Sequence, residues 1–168
     1  MRSVEKIYNV LNKKELDYIQ NLIDDNSKWV WRTTFDELNE KGEKLWYDSI
    51  YPDYNMISNY HNFVCQNGQF KIRETAINII TKNRQNTNSL HYDDADLSFV
   101  TYFNNNFQGG RLIYYDENNE KNIIEPESGL TVRINKNVMH AVEEVYEGTR
   151  FSLYTFLYYS KKDTKTFL

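Results

Sequence analysis

From residue 70 onward, the chain alternates apolar and polar residues with a period of two, and this pattern constrains the fold most. Seven segments follow it, most of them separated by turn-forming sequences such as NNNFQGG, DENNEKN and EPESG. The segments are KIRETAINII (71–80), LSFVTYF (97–103), RLIYY (111–115), KNII (121–124), GLTVRI (129–134), HAVEEV (140–145) and TRFSLYTFLYY (149–159). Seven short strands in about 90 residues predict a sandwich, jelly roll or barrel.

The N-terminal part predicts two helices instead. Residues 12–25 are amphipathic, and their apolar face is Leu16, Ile19, Leu22 and Ile23. Asn12 and Glu15 form a capping-box pattern at the start of this helix. A second helix is expected within residues 53–66, with an apolar face of Met56, Tyr60, Phe63 and Val64. Residues 28–48 contain three Trp residues without a clear period, which predicts irregular structure or short edge strands. We therefore expect an α+β fold, with the helices packed on the outside of the β-body.

Length and composition exclude several classes of protein. The 168 residues suggest one domain over 1–168, with a helical and irregular part at 1–69 and a β-core at about 70–160. The net charge of −4 argues against nucleic acid as the main partner. The absence of an 18-residue apolar run predicts no membrane span, and the N-terminal sequence favours a cytoplasmic protein. The single cysteine, Cys65, excludes an intrachain disulfide and a cysteine-rich zinc site, and it is expected to be a small buried hydrophobe.

A histidine and a carboxylate stand close together just before the second predicted strand. His91 and Asp93 are two residues apart, so on extended backbone both side chains point to the same side. His140 opens another predicted strand 47 residues after Asp93. Two imidazoles and one carboxylate are the facial triad expected of non-haem Fe(II) oxygenases. Taken alone, the His-x-Asp pattern also fits a solvated turn. A calcium loop fails on spacing, because Phe99 and Asn105 stand where Gly and Glu are needed.

The last predicted strand carries one cation. Arg150 lies ten residues after His140 and shares a face with Ser152 and Tyr154. If that face points inward, Arg150 is a buried charge, and an anionic ligand such as a carboxylate would relieve the cost of burial. The alternative is a strand-edge Arg paired with a surface acid.

These elements, in this order, resemble the 2-oxoglutarate and Fe(II)-dependent oxygenases of the prolyl 4-hydroxylase type. The resemblance covers roughly residues 75–160 and consists of His91-x-Asp93, GGRLIYY, EPESGLTVRI, His140 and the sequence GTRFS around Arg150. The N-terminal VLNKKELDYIQNLI is similar to the leading helix of that family. The fold it implies is a double-stranded β-helix, or jelly roll.

The resemblance also implies roles for single residues. His91, Asp93 and His140 match the iron ligands. Arg150 matches the basic residue that holds the distal carboxylate of 2-oxoglutarate, and Ser152 and Tyr102 are candidates to contact this cosubstrate. Three further residues match the Gly-Gly-x-Leu turn of the family, and they are Gly109, Gly110 and Leu112.

The sequence departs from the family at one place. Some relatives have a tyrosine about ten residues before His-x-Asp that contacts the cosubstrate, whereas here the nearest residue is Thr81. One wall of the expected 2-oxoglutarate pocket is therefore undefined. The polar loop 82–90 is expected to lie near the iron.

The activity that the resemblance implies is oxidative decarboxylation of 2-oxoglutarate to succinate and CO2, coupled through O2 to hydroxylation of a C–H bond. Ascorbate is expected to support turnover. Related halogenases lack the carboxylate ligand, so Asp93 favours hydroxylation. The substrate expected by analogy is a prolyl residue in a peptide or protein, contacted by Trp29, Trp31, Arg32 and Trp46.

Several alternatives remain open from the sequence. The tryptophans could instead cover the outside of the barrel. A free amino acid or small metabolite could be the substrate. The barrel could also bind 2-oxoglutarate without catalysis, or belong to a zinc-dependent or sugar-binding β-sandwich.

Overall fold

The computed structural model describes residues 3–38, 44–85 and 89–160, and it describes side chains throughout these ranges except at 31–38 and 44–47. Two α-helices are formed there, α1 (Lys13–Asp24) and α2 (Ser58–Val64), together with short 3-10 turns at Asn26–Lys28 and Tyr54–Ile57. The strands are β1 (Val4–Tyr8), β2 (Val30–Leu38), β3 (Lys44–Ile50), β4 (Phe70–Thr81), β5 (Leu97–Tyr102), β6 (Gln108–Gly109), β7 (Leu112–Tyr115), β8 (Lys121–Ile124), β9 (Leu130–Asn135), β10 (His140–Val142), β11 (Val145–Glu147) and β12 (Thr149–Tyr159).

The strands form a double-stranded β-helix. A seven-stranded antiparallel sheet has the order β1-β9-β5-β12-β4-β3-β2. Facing strands form a three-stranded sheet, β10-β7-β8, and a two-stranded ribbon, β11-β6. The long strand β12 runs between β4 and β5, so that Ser152 lies opposite Asn78 on one side and Tyr102 on the other. Residues of β12 therefore alternate between the interior of the jelly roll and the opposite face of the large sheet.

The helices cover that opposite face, as the sequence predicted. Ile19 of α1 and Val64 of α2 belong to one buried cluster with Ile77 of β4 and Leu153 of β12. The capping box is present, with Asn12 Oδ1 accepting from the Glu15 amide at 2.8 Å. Glu15 is buried, and its Oε2 accepts a hydrogen bond from the Tyr60 amide at 3.0 Å, which fastens α1 to α2.

Most of the predicted elements are confirmed, but strands β1 and β6 were not predicted, and three further details differ. The segment HAVEEV divides into two strands, β10 and β11. The Trp-rich segment forms the paired strands β2 and β3, of which β2 lies at the edge of the sheet. The predicted second helix begins with a 3-10 turn, and this turn shifts the buried face to Ile57, Tyr60 and Val64. Met56 is consequently 43% exposed, and Phe63, which lies within α2, is equally exposed.

Among the described residues, no helix is long and apolar enough to cross a membrane.

Candidate metal centre and its cavity

The three predicted metal ligands meet in the structure. One ligand atom from each of His91, Asp93 and His140 lies within 4.8 Å of the other two. The Nε2 atoms of the two histidines are each 3.3 Å from Asp93 Oδ1. This spacing allows the three side chains to hold one ion, and the nitrogen and oxygen donors are those of the facial triad.

Backbone contacts position the two histidines. The His91 amide donates to the His140 carbonyl and the His140 amide to the His91 carbonyl, both at 3.0 Å. Each ring places Nδ1 against a carbonyl two residues earlier, at 2.8 Å from Ser89 O and 2.9 Å from Val138 O. A carbonyl can only accept, so Nδ1 carries a proton in both rings. Nε2 therefore offers a lone pair to a metal when the ring is neutral, and it donates to Asp93 when the ring is doubly protonated.

Asp93 is ionised at neutral pH. Burial by itself would raise the pKa of its carboxyl group, but hydrogen bonds from His140, His91 and Ser98 outweigh burial and hold this pKa below its ordinary value. The carboxylate is thus available as an anionic ligand.

The acids that follow Asp93 fasten its turn to the large sheet. The Asp94 carbonyl accepts from Arg73 Nη1 at 2.9 Å and from the Tyr158 hydroxyl at 2.8 Å. Asp96 Oδ2 accepts from the Tyr159 amide at 2.9 Å. Asp94 and Asp96 therefore hold the turn in place and lie outside the group of three ligands.

A cavity of about 190 Å³ extends from the three ligands into the jelly roll. Its inner wall includes Arg150, Ser152 and Tyr154, which share one face of β12 as predicted. Val100 and Leu112 supply apolar wall from facing sheets. The cavity therefore joins a cluster of metal-ligating groups to a guanidinium group.

Arg150 is a buried cation that lacks an anionic partner in the described ranges. It is 4% exposed, and its Cζ lies 5.2 Å from the centroid of the Tyr102 ring. Arg150 Nε and the Tyr102 hydroxyl are both buried and make no hydrogen bond to any described residue. Two orphaned donors side by side fit a carboxylate ligand, which would satisfy both and neutralise the charge.

Gly110 makes room for Arg150. A Cβ atom at this position would lie 3.0 Å from Arg150 Cδ and 3.1 Å from Phe107 Cε2. Its φ of +65° is also unfavourable for other residues. The glycine serves the tight turn that was predicted and leaves space for the Arg150 stem as well.

The structure does not bring all predicted residues to the cavity. Trp29 packs in the cluster under the helices, where its Nε1 donates to Ile23 O at 3.2 Å, and it does not line the cavity. The side chains of Trp31, Arg32 and Trp46 lie outside the described parts of the structure, as do residues 86–88 of the polar loop.

Sequence reasoning missed part of the wall. Glu74 and Asn78 of β4 line the cavity, and the Tyr154 hydroxyl donates to Glu74 Oε1 at 2.8 Å. The period-two rule that selected Arg150 and Ser152 also places these β4 residues on one face. The signal was therefore present in the sequence, but nothing identified that face as the inner one.

Comparisons with known proteins agree with this geometry. Residues 76–158 match the family described as the 2OG-Fe(II) oxygenase superfamily. A prolyl hydroxylase from Trichoplax adhaerens, solved with a hypoxia inducible factor peptide, has a TM-score of 0.67 at 13% identity, over 92% of this chain and 82% of that one. A prolyl-4-hydroxylase from Pseudomonas putida has a TM-score of 0.63 at 15% identity, over 94% and 92%.

Another solved structure with this fold is that of an epimerase and not of a hydroxylase. The non-heme alpha ketoglutarate dependent epimerase of nogalamycin biosynthesis has a TM-score of 0.63 at 7% identity, over 93% of this chain and 77% of that one. No curated protein matches the chain in sequence. At these identities the structural likenesses show the fold alone.

Proposed function

Because this chain belongs to the 2OG-Fe(II) oxygenase superfamily, we propose that it is an Fe(II)- and 2-oxoglutarate-dependent hydroxylase formed by a single domain over residues 1–168. The observation that carries the proposal is the cavity that joins His91, Asp93 and His140 to Arg150. In this assignment the first three residues hold Fe(II), and Arg150 binds the distal carboxylate of 2-oxoglutarate with Tyr102 and Ser152.

The protein's own groups suit these roles. Fe(II), when bound, supplies the redox chemistry that couples decarboxylation of 2-oxoglutarate by O2 to oxidation of a substrate C–H bond. His91 and His140 offer Nε2 lone pairs whose direction is fixed by the carbonyls behind Nδ1. Asp93 supplies the carboxylate that the related halogenases lack, which favours hydroxylation.

Arg150 orients the cosubstrate. Its guanidinium group is held over the Tyr102 ring, so its direction is set before a ligand arrives. An anion that enters this end of the cavity can accept hydrogen bonds from two donors that are already held in place, Arg150 Nε and the Tyr102 hydroxyl. The 2-oxo acid end of the molecule then points back toward the three metal ligands.

We propose a prolyl residue in a peptide or protein as the substrate. The shared fold with the two prolyl hydroxylases supports this choice. Leu90 and Tyr92, which flank His91, are 45% and 49% exposed and offer an apolar rim beside the metal ligands. A free amino acid or small metabolite is the second candidate, favoured by the fold match to the nogalamycin epimerase.

The test is succinate formation from Fe(II), ascorbate and 2-oxoglutarate, measured without a substrate and with panels of prolyl peptides and free amino acids. We expect prolyl peptides to raise succinate formation and to gain one oxygen atom by mass spectrometry. His140→Ala removes a ligand and abolishes turnover. The matched control is His61→Ala, because His61 lies on α2 away from the cavity.

Each alternative outcome has a distinct meaning. Succinate formation stimulated only by small molecules would replace the peptide substrate. Binding of 2-oxoglutarate without turnover would indicate a non-catalytic barrel. Failure of the Mn(II)-loaded protein to bind 2-oxoglutarate would refute the proposed function.

A further inference from the structure

Four polar side chains form a row across the large sheet on its inner face. Ser49 of β3 pairs with Asn78 of β4, Asn78 pairs with Ser152 of β12, and Ser152 pairs with Tyr102 of β5. Directly opposed residues on neighbouring strands project to the same side, with Cβ atoms about 4.5–5.5 Å apart. The row thus forms one continuous polar strip, and Arg150 stands two residues along β12 from its centre.

This strip contains most of the unsatisfied buried polar groups. Five buried side-chain atoms have no hydrogen-bond partner among the described residues, and four belong to Ser49, Asn78, Tyr102 and Arg150. Folded proteins rarely leave such groups unpaired, because each costs about 1–3 kcal/mol. Three such groups in the strip and one beside it indicate a missing polar ligand at this end of the cavity, where Asn78, Ser152 and Arg150 line the wall.

We propose that Asn78, supported by Ser49, is a further binding residue for the distal carboxylate of 2-oxoglutarate. This inference rests on the proposed function. It also supplies a residue for the cavity wall that the sequence left undefined. Thr81 pairs with Thr149, and Thr149 projects to the face of β12 opposite that of its neighbour Arg150. Thr81 therefore faces away from the cavity, whereas Asn78, three residues earlier, lines it.

The chemistry of the amide fits this role. A carboxylate accepts hydrogen bonds, so Asn78 contacts it through Nδ2, and Oδ1 is then free to accept from the Ser49 hydroxyl. In the structure Oδ1 is the amide atom that is buried without a partner, which leaves Nδ2 as the atom for the ligand. Both orphaned atoms on the β3–β4 side are then satisfied.

The position along the strands selects the distal carboxylate. Asn78 lies beside Ser152, close to Arg150. The metal end is marked by Ser98, which hydrogen-bonds Asp93 and pairs with Phe156. Phe156 is four residues beyond Ser152 on β12, so the metal ligands lie toward the C-terminal end of that strand. Asn78 therefore lies on the Arg150 side of the cavity.

The experiment compares two ligands by calorimetry on the Mn(II)-loaded protein. The first is 2-oxoglutarate, and the second is 2-oxopentanoate, which has the same chelating end and a methyl group in place of the distal carboxylate. Asn78→Leu removes the amide while keeping the branching and the number of side-chain heavy atoms, and it should weaken 2-oxoglutarate binding about 10- to 100-fold. Its affinities for 2-oxopentanoate and for Mn(II) should change less than twofold. Thr81→Val is the matched control on the same strand and should bind both ligands as the wild type does.

The outcomes separate this inference from the function on which it rests. If Asn78→Leu binds 2-oxoglutarate normally while Arg150→Met does not, Asn78 has no such role and the proposed function stands. Equal losses for both ligands, or a loss of Mn(II) affinity, would make Asn78 a structural residue. No 2-oxoglutarate binding by the wild type would overturn the proposed function. Should Asn78→Leu not fold, Asn78→Val tests the same loss with a β-branched residue suited to a strand and without a donor.

Discussion

Replacement of Arg150 by methionine should move stability and ligand affinity in opposite directions. Methionine keeps a flexible apolar stem of similar reach, so the packing against Gly110 and Tyr102 is largely preserved. What is lost is a buried charge that has no anionic partner in the described part of the chain. Removal of such a charge is neutral or stabilising, and the lost contact with the Tyr102 ring offsets about 1 kcal/mol. We expect the ligand-free variant to gain about 1–2 kcal/mol in free energy of unfolding.

The affinity for 2-oxoglutarate should fall sharply in the same variant. Loss of one partner of a buried, hydrogen-bonded charge pair costs about 2–5 kcal/mol, which corresponds to a 30-fold to several-thousand-fold higher Kd. At a ligand concentration of 100 times the wild-type Kd, 2-oxoglutarate stabilises the wild type by about 2.7 kcal/mol. A 100-fold weaker variant gains only about 0.4 kcal/mol at that concentration.

Urea unfolding of the Mn(II)-loaded protein, with and without 2-oxoglutarate, measures both effects. Arg150→Lys is the companion variant: it keeps the charge but loses the planar fork, so its affinity should lie between the two. A ligand-free Arg150→Met that is less stable than the wild type and binds 2-oxoglutarate normally would refute the reasoning. Arg150 would then be a structural cation.

Three further predictions concern residues around the site. Tyr158→Phe removes a hydrogen bond from the turn behind the metal ligands and should weaken Mn(II) binding up to about tenfold by calorimetry, and unchanged affinity would contradict that role. Gly110→Ala crowds the Arg150 stem, so the Kd for 2-oxoglutarate should rise while Mn(II) affinity is kept; a parallel loss of both would indicate general misfolding. Hydrogen bonds from Arg111 hold the pKa of Glu143 below its ordinary value, so this carboxylate stabilises the fold above about pH 4, and that contribution is lost as the pH falls through the lowered pKa. Glu143→Gln should therefore cost about 1 kcal/mol of unfolding free energy at pH 7 and nothing at the acid end of a urea series, and a pH-independent difference would refute the ion pair's role.

The alternation of apolar and polar residues was sufficient to predict much of the fold from the sequence. A strand alternates its side chains regardless of what it pairs with, so the segments around Ser98, Val132 and Ser152 were identified from local composition. The same rule placed His91 beside Asp93. The second helix was less accurate, because one 3-10 turn shifts the phase and carries Met56 from the expected buried face to solvent.

Local patterns cannot tell which strands become neighbours or which face of a strand turns inward. Local sequence patterns are sufficient for the strand-rich body, the first helix with its cap, and the candidates His91, Asp93, His140 and Arg150. Only the tertiary structure brought His140 against His91, since that bridge joins segments 49 residues apart. It also left Arg150 buried without an acidic partner among the described residues, added Asn78 to the wall, and placed Trp29 under the helices. These outcomes depend on long-range register, which is fixed by burial of the whole sheet and not by any single segment.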